Sequence, residues 1–119
     1  MISVVDDEES VRKAVVRVLR AAGFAARGFA SGEEFLKSWQ FDQPDCLVLD
    51  LQMPGLSGAQ VQQALKVARA QFPPVIMTAH NEPGVREECL RQGAVAYLCK
   101  PIEVGALLQA VTLATVASH

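Results

Sequence analysis

The sequence predicts an α/β domain built on a parallel sheet, and three observations carry that prediction. Five short apolar runs alternate with stretches in which apolar residues recur at helical spacing, and strands that alternate with crossover helices pair in parallel. The third run, Cys46-Leu-Val-Leu49, is continuously apolar, as expected of a central strand buried on both faces. The chain has 119 residues, half of them hydrophobic, which suits one domain with a real core.

Each element follows in order. Ile2-Ser-Val-Val5 is a strand ending in an acidic cluster, and Val11, Val15, Val18, Leu19 and Ala22 mark the next helix, which Gly23 closes. Phe24 to Phe29, partly polar, reads as an edge strand. Ser31 caps a short helix holding Phe35, Leu36 and Trp39, where the aromatic pair is spaced for packing. Beyond the central strand and the loop from Leu51 to Leu56, Ser57 caps a helix carrying Val61, Leu65 and Ala68, which Pro73-Pro74 ends. Val75 to Thr78 forms the fourth strand, and a helix after Pro83 turns Val85 and Cys89 inward and stops at Gly93. Ala94 to Cys99 forms the fifth strand, and Val104, Leu107, Leu108 and Val111 define the last helix. A single domain is expected to fill residues 1–119, with this helix running nearly to His119.

Composition excludes several classes of protein. No apolar stretch approaches the ~20 residues of a membrane helix and no basic-then-apolar leader opens the chain, so a soluble, cytoplasmic domain is expected. The net charge of −2, with basic residues scattered along the sequence, argues against a nucleic-acid coat. Cys46, Cys89 and Cys99 are odd in number and lack metal-site spacing, which reads as reduced thiols in or near the core.

Function is expected outside the carboxyl ends of the strands. There stand Asp6-Asp7 after the first run, Asp50 after the third, Thr78 after the fourth and Lys100 after the fifth. Converging carboxylates raise one another's pKa unless a cation neutralises them, and oxygen donors at an open site favour a hard ion such as Mg²⁺ or Mn²⁺. A carboxylate beside such an ion and an ammonium suits attack on a phosphoryl group, giving an aspartyl-phosphate. Asp50 is the expected nucleophile, Asp6 and Asp7 hold metal, Lys100 pairs with the phosphoryl group, and Thr78 hydrogen-bonds one of its oxygens.

Four segments, in order and spanning nearly the whole chain, resemble the receiver domain of two-component response regulators: Val4-Val-Asp-Asp-Glu8, Leu47 to Gly58, Met77-Thr-Ala79 and Gly93 to Ile102. The wording around Ser10-Val-Arg12 and Asp50 to Gly58 is nearest the FixJ-like subfamily. The resemblance implies a flavodoxin-like, doubly wound (βα)5 fold with strand order 2-1-3-4-5. It implies that Asp50 accepts a phosphoryl group from a sensor histidine kinase. Metal would be held by Asp7, Asp50 and the main-chain carbonyl of Gln52, with Asp6 acting through water. It further implies a switch pair, Thr78 and Tyr97, with the ring turning inward on phosphorylation to re-shape the surface of the last two helices and fifth strand, and a cis Lys100-Pro101 bond. Arg86, Leu90, Arg91, Val95 and Tyr97 are expected to form a partner surface for phosphorylation-dependent homodimerisation. DNA would be reached only through an output domain outside this chain, as in a transcription regulator. Gln52 and His80, two residues past Asp50 and Thr78, are candidates for tuning phosphoryl lifetime.

Plainer explanations exist for each residue alone. Asp6-Asp7 would serve as helix-start acids, Asp50 as a turn residue before Pro54-Gly55, Thr78 as a strand former, Lys100-Pro101 as a helix start, and Tyr97 as a half-buried ring with a wet hydroxyl. Their joint occurrence favours a phospho-accepting switch over a turnover enzyme. An aspartyl-phosphate phosphatase needs a second Asp where Gln52 stands, and an FMN carrier needs a Ser/Thr/Gly loop where Asp6-Asp-Glu-Glu9 stands. A stand-alone receiver acting through protein contacts remains an alternative.

Overall fold

The computed structural model describes residues 1–117, so the last helix's approach to His119 lies outside the described residues. Among the described residues ten elements alternate: β1 (Ile2–Val5), α1 (Glu9–Ala21), β2 (Ala26–Phe29), α2 (Gly32–Ser38), β3 (Cys46–Asp50), α3 (Gly58–Val67), β4 (Pro74–Thr78), α4 (Val85–Arg91), β5 (Ala96–Cys99) and α5 (Val104–Ala117). All strand pairs are parallel, and the sheet order is β2-β1-β3-β4-β5.

Side chains alternate across β3 because successive strand residues point to opposite faces. Leu47 and Leu49 enter a core with Val5, Phe29, Phe35, Val61 and Ile76. Cys46 and Val48 enter another core with Val4, Leu19, Met77, Leu107 and Val111. Phe35 and Trp39 both meet Phe72 edge-on, with ring centroids 6.2 and 5.4 Å apart, so the aromatic pair packs as its spacing suggests.

Helix starts follow local chemistry. Ser31 accepts the backbone N–H of Glu34, and Ser57 forms a reciprocal capping box with Gln60. Gly23 and Gly93 end α1 and α4 with φ of 97° and 109°, a left-handed conformation that side chains resist.

Several boundaries differ from expectation. The edge strand β2 starts at Ala26 because Phe24 still closes the end of α1 through its N–H to Leu19. β4 begins at Pro74, and β5 begins only at Ala96 because the Ala94 N–H returns to Cys89 at the end of α4. Trp39 follows α2 as its cap rather than lying within it. Cys46 and Cys89 are buried, whereas Cys99 is exposed at the edge of the sheet. Burial pushes the Cys46 thiol up to about 12, which suits a reduced, inert sulfur.

The basic residues are less scattered than the linear sequence suggests: Arg12, Lys13, Arg17 and Arg20 line one groove beside Gly28. Much of that charge is engaged locally. Arg12 donates to the Asp6 carbonyl, Arg20 donates twice to the Ala26 carbonyl, and Lys13 pairs with Glu9. Among the described residues, no helix is long and apolar enough to cross a membrane.

Candidate functional site

The strand register brings the site together. Val5 pairs with Leu49, so Asp6 and Asp50, one residue further on each strand, stand side by side at the carboxyl ends of β1 and β3. Thr78 pairs with Cys99, and the Lys100 N–H donates to the Thr78 carbonyl at 2.7 Å. Residues 94 positions apart thereby meet: Lys100 Nζ lies 2.9 Å from Asp6 Oδ2, 3.4 Å from Asp50 Oδ1 and 3.7 Å from Glu8 Oε1. The bond between Lys100 and Pro101 is cis.

Asp6, Asp7 and Asp50 each place a carboxylate oxygen within 4.8 Å of the others. Asp6 and Asp50 are buried and Asp7 is exposed. Asp6 does not cap α1; its Oδ1 accepts the N–H of Glu8 while its Oδ2 meets Lys100. Asp6, Asp50 and Glu8 face one ammonium, and Asp7 adds a fourth carboxylate beside Asp6 and Asp50. That excess of hard oxygen donors on an open edge fits a divalent cation of the Mg²⁺ type.

Asp50 is pushed up to about 6, chiefly by burial and secondly by the Asp6 charge, against the lowering influence of Lys100 and the Gln52 N–H. Repulsion among carboxylates is therefore the lesser cause here. Burial alone would lower the pKa of Lys100, but its bond to Asp6 and the charges of Asp50, Asp6 and Glu8 outweigh that and raise it. The ammonium is thus held charged inside the cluster.

Thr78 is buried at the end of β4. Its hydroxyl donates toward Gln52 Oε1 at 2.8 Å, has the His80 carbonyl at 3.0 Å, and accepts the His80 N–H at 3.1 Å. Gln52 Oε1 also accepts the Ala79 N–H at 3.3 Å, and the Gln52 N–H donates to Asp50 Oδ1. The side chain of Gln52 therefore bridges the Asp50 loop to the β4 terminus, while the His80 residue is exposed.

Tyr97 departs from the plainer expectation of a wet hydroxyl. Its ring packs against the core that holds Phe35 and Ile76, already inward without a phosphoryl group, and its hydroxyl is buried with no hydrogen-bond partner among the described residues. Burial, followed by the nearby Cys99 and Cys89, raises its pKa, and Thr78 opposes the rise. On α4 and the loop after it, Arg86, Leu90, Arg91 and Val95 are all exposed.

Sequence reasoning missed three participants. Glu8 approaches Lys100, and the acidic run after β1 was a signal for it. Arg12, which holds the Asp6 carbonyl, carried no signal beyond lying one turn into the helix. Gly58 sits where a Cβ would meet the Asp50 carbonyl oxygen at 2.3 Å and Leu51 Cα at 2.7 Å, a packing demand only the folded chain reveals.

The family model for the response regulator receiver domain matches residues 2–112. Nodulation protein W of Bradyrhizobium diazoefficiens is 35% identical over 115 residues, covering 97% of this chain and 51% of that protein. Transcriptional regulatory protein FixJ of Rhizobium meliloti is 32% identical over 114 residues, covering 96% and 56%. The structure of the Vibrio cholerae chemotaxis protein CheY4 superposes with a TM-score of 0.85 at 28% identity, covering 95% of this chain and 96% of that one. The chain thus spans about half the length of the two regulators.

Proposed function

The chain belongs to the response regulator receiver family, and from that premise we propose that it is a switch operated by phosphorylation of Asp50. The observation that carries the proposal is the buried Asp50 carboxylate beside Asp6 and Asp7, with the Lys100 ammonium 3.4 Å away. A carboxylate raised to about 6 is still mostly ionised at neutral pH and more basic than an ordinary Asp, which suits a nucleophile. Its oxygen bonds to phosphorus as the phosphorus–nitrogen bond of a phosphohistidine on a sensor kinase breaks, and that electron pair stays with the imidazole.

Lys100 then pairs with a phosphoryl oxygen, and Thr78 donates to another. Asp7, Asp50 and the Gln52 main-chain carbonyl would hold Mg²⁺ or Mn²⁺, with Asp6 acting through water. When bound, the ion supplies charge neutralisation for the carboxylates and the phosphoryl oxygens. Gln52 and His80 flank the phosphoryl position and set how long it survives.

Phosphorylation biases an inactive–active equilibrium read by a partner surface. Arg86, Leu90, Arg91, Val95 and Tyr97 form that surface, and a second phosphorylated copy is the partner. Coverage of about half of FixJ, named a transcriptional regulatory protein, supports an output domain elsewhere in a longer protein, through which DNA is reached. Near-complete coverage of CheY4 favours a second reading, a stand-alone receiver acting by protein contact.

Incubation with acetyl phosphate and Mg²⁺ followed by intact mass measurement tests the core claim. One phosphoryl addition that disappears in Asp50→Asn is expected; no addition to the wild type overturns the reading. Sedimentation with and without beryllofluoride tests dimerisation, and an unchanged monomer at high concentration refutes it.

A further inference from the structure

The Thr78 hydroxyl has one proton, and in this structure that proton is already committed. Gln52 Oε1 stands 2.8 Å away as the nearer acceptor and the His80 carbonyl 3.0 Å away as the other, while the His80 N–H occupies the hydroxyl's accepting side. The Gln52 amide cannot simply turn over, because its oxygen also receives the Ala79 N–H, and a rotated amide would present N–H to N–H. The carboxamide thus closes a bridge from the loop after Asp50 to the end of β4.

We propose that Gln52 is a latch: its side-chain oxygen competes with the phosphoryl group for the single Thr78 proton and so holds the unphosphorylated domain in its resting arrangement. The inference rests on the phospho-acceptor reading of Asp50. As Thr78 turns to the phosphoryl oxygen, its O–H leaves Gln52 Oε1, which keeps the Ala79 N–H. On the Gln52 side nothing else need be broken, since the Gln52 residue is largely exposed and its backbone N–H bonds Asp50 Oδ1 independently of the side chain; the two contacts of the hydroxyl to His80 shift as it turns.

Tyr97 approaches Thr78 from the other side. Its buried hydroxyl has no partner, although Thr78 lies close enough to act on its pKa. Unpaired buried hydroxyls are uncommon in folded proteins, and this one lies inward and unsatisfied while the Thr78 proton is committed to Gln52. Gln52 is accordingly a positioning residue: it acts on the phosphoryl group through Thr78.

Gln52→Met keeps the length and the main-chain carbonyl but removes the acceptor. Two measurements separate the latch from the reading beneath it. In the protein without any phosphoryl analogue, NMR should show the Ala79 amide shifted and exchanging faster in Gln52→Met; an unchanged Ala79 amide overturns the latch. With Mg²⁺ present, beryllofluoride titration should show tighter binding by about threefold to tenfold, the range one released hydrogen bond allows. That gain should vanish in a Thr78→Val background, where there is no proton to release. Equal affinity in wild type and Gln52→Met, or a gain that persists with Thr78→Val, overturns the latch while leaving Asp50 as acceptor intact. A wild type that takes neither beryllofluoride nor acetyl phosphate overturns both.

Discussion

A Cβ built on Gly58 would lie 2.3 Å from the carbonyl oxygen of Asp50. The first turn of α3 is therefore pressed onto the backbone of the candidate nucleophile, and Gly58 N–H closes the contact by donating to the Leu51 carbonyl at 3.0 Å. The clash is with main chain, which cannot swing aside as a side chain would. Gly58→Ala should cost about 2–3 kcal/mol, as overpacking a tight contact does, and should slow acetyl phosphate labelling by displacing Asp50. Gly32→Ala is the comparison: its Cβ meets Val61 Cγ2 at 2.4 Å, a side-chain methyl that can rotate, so urea denaturation should show a smaller loss.

Removing the ammonium should be costly at neutral pH. Lys100 is the counter-ion of two buried carboxylates, and breaking a buried ion pair from one side leaves uncompensated charge, typically worth about 3 kcal/mol or more. Lys100→Met should lower stability by that order in urea titrations at pH 7.5. The loss should shrink toward pH 5 as Asp50 takes up a proton.

Asp50 itself should be a liability in the absence of a cation. Its folded pKa of about 6 exceeds the unfolded value near 3.9, so between those values the folded state binds more protons than the unfolded one. Stability attributable to this group therefore falls as pH rises from about 4 to about 6 and stays low above that. Asp50→Asn should be more stable than wild type at pH 7.5 without metal, by on the order of 2 kcal/mol or roughly 5–10 °C in Tm, with the difference closing near pH 4. Added Mg²⁺ should raise the wild-type Tm by mass action and leave the variant nearly unmoved; calorimetry across pH checks both.

Tyr97→Phe removes a hydroxyl that is buried and unbonded and keeps the packed ring. Since an unsatisfied buried donor costs about 1–3 kcal/mol, the variant should match the wild type or exceed it by about 1 kcal/mol in chemical denaturation. A loss above 1 kcal/mol would show that the hydroxyl is bonded in solution.

The site's main residues were legible because they mark the ends of strands. Once the five apolar runs are accepted, Asp50, Thr78 and Lys100 follow as the residues that end or follow β3, β4 and β5, and parallel pairing sends them to one edge. The alternation of Leu47 and Leu49 against Cys46 and Val48 was equally plain. What stayed hidden depends on contacts between segments. No local pattern says that a Gln two residues past Asp50 reaches Thr78, that Gly58 must lack a side chain, or that the Tyr97 hydroxyl is dry. The late start of β5 was missed because Ala94 and Val95 look strand-like by composition, while the Ala94 N–H is spent on the end of α4. Asp50's shift was expected from its acidic neighbours, but burial in the sheet centre is the stronger influence.

The sheet order also dictates when competence can arise during synthesis. The acids come from the ends of β1 and β3, whereas the cation that steadies them follows β5, 94 residues beyond Asp6. Contacts of such long sequence separation carry the highest loop-closure cost and form late. A ribosome-bound chain that has not yet released β5 holds clustered carboxylates and lacks the group that pairs with them. On the proposed function, phosphoryl acceptance should therefore appear only when the whole sheet has assembled.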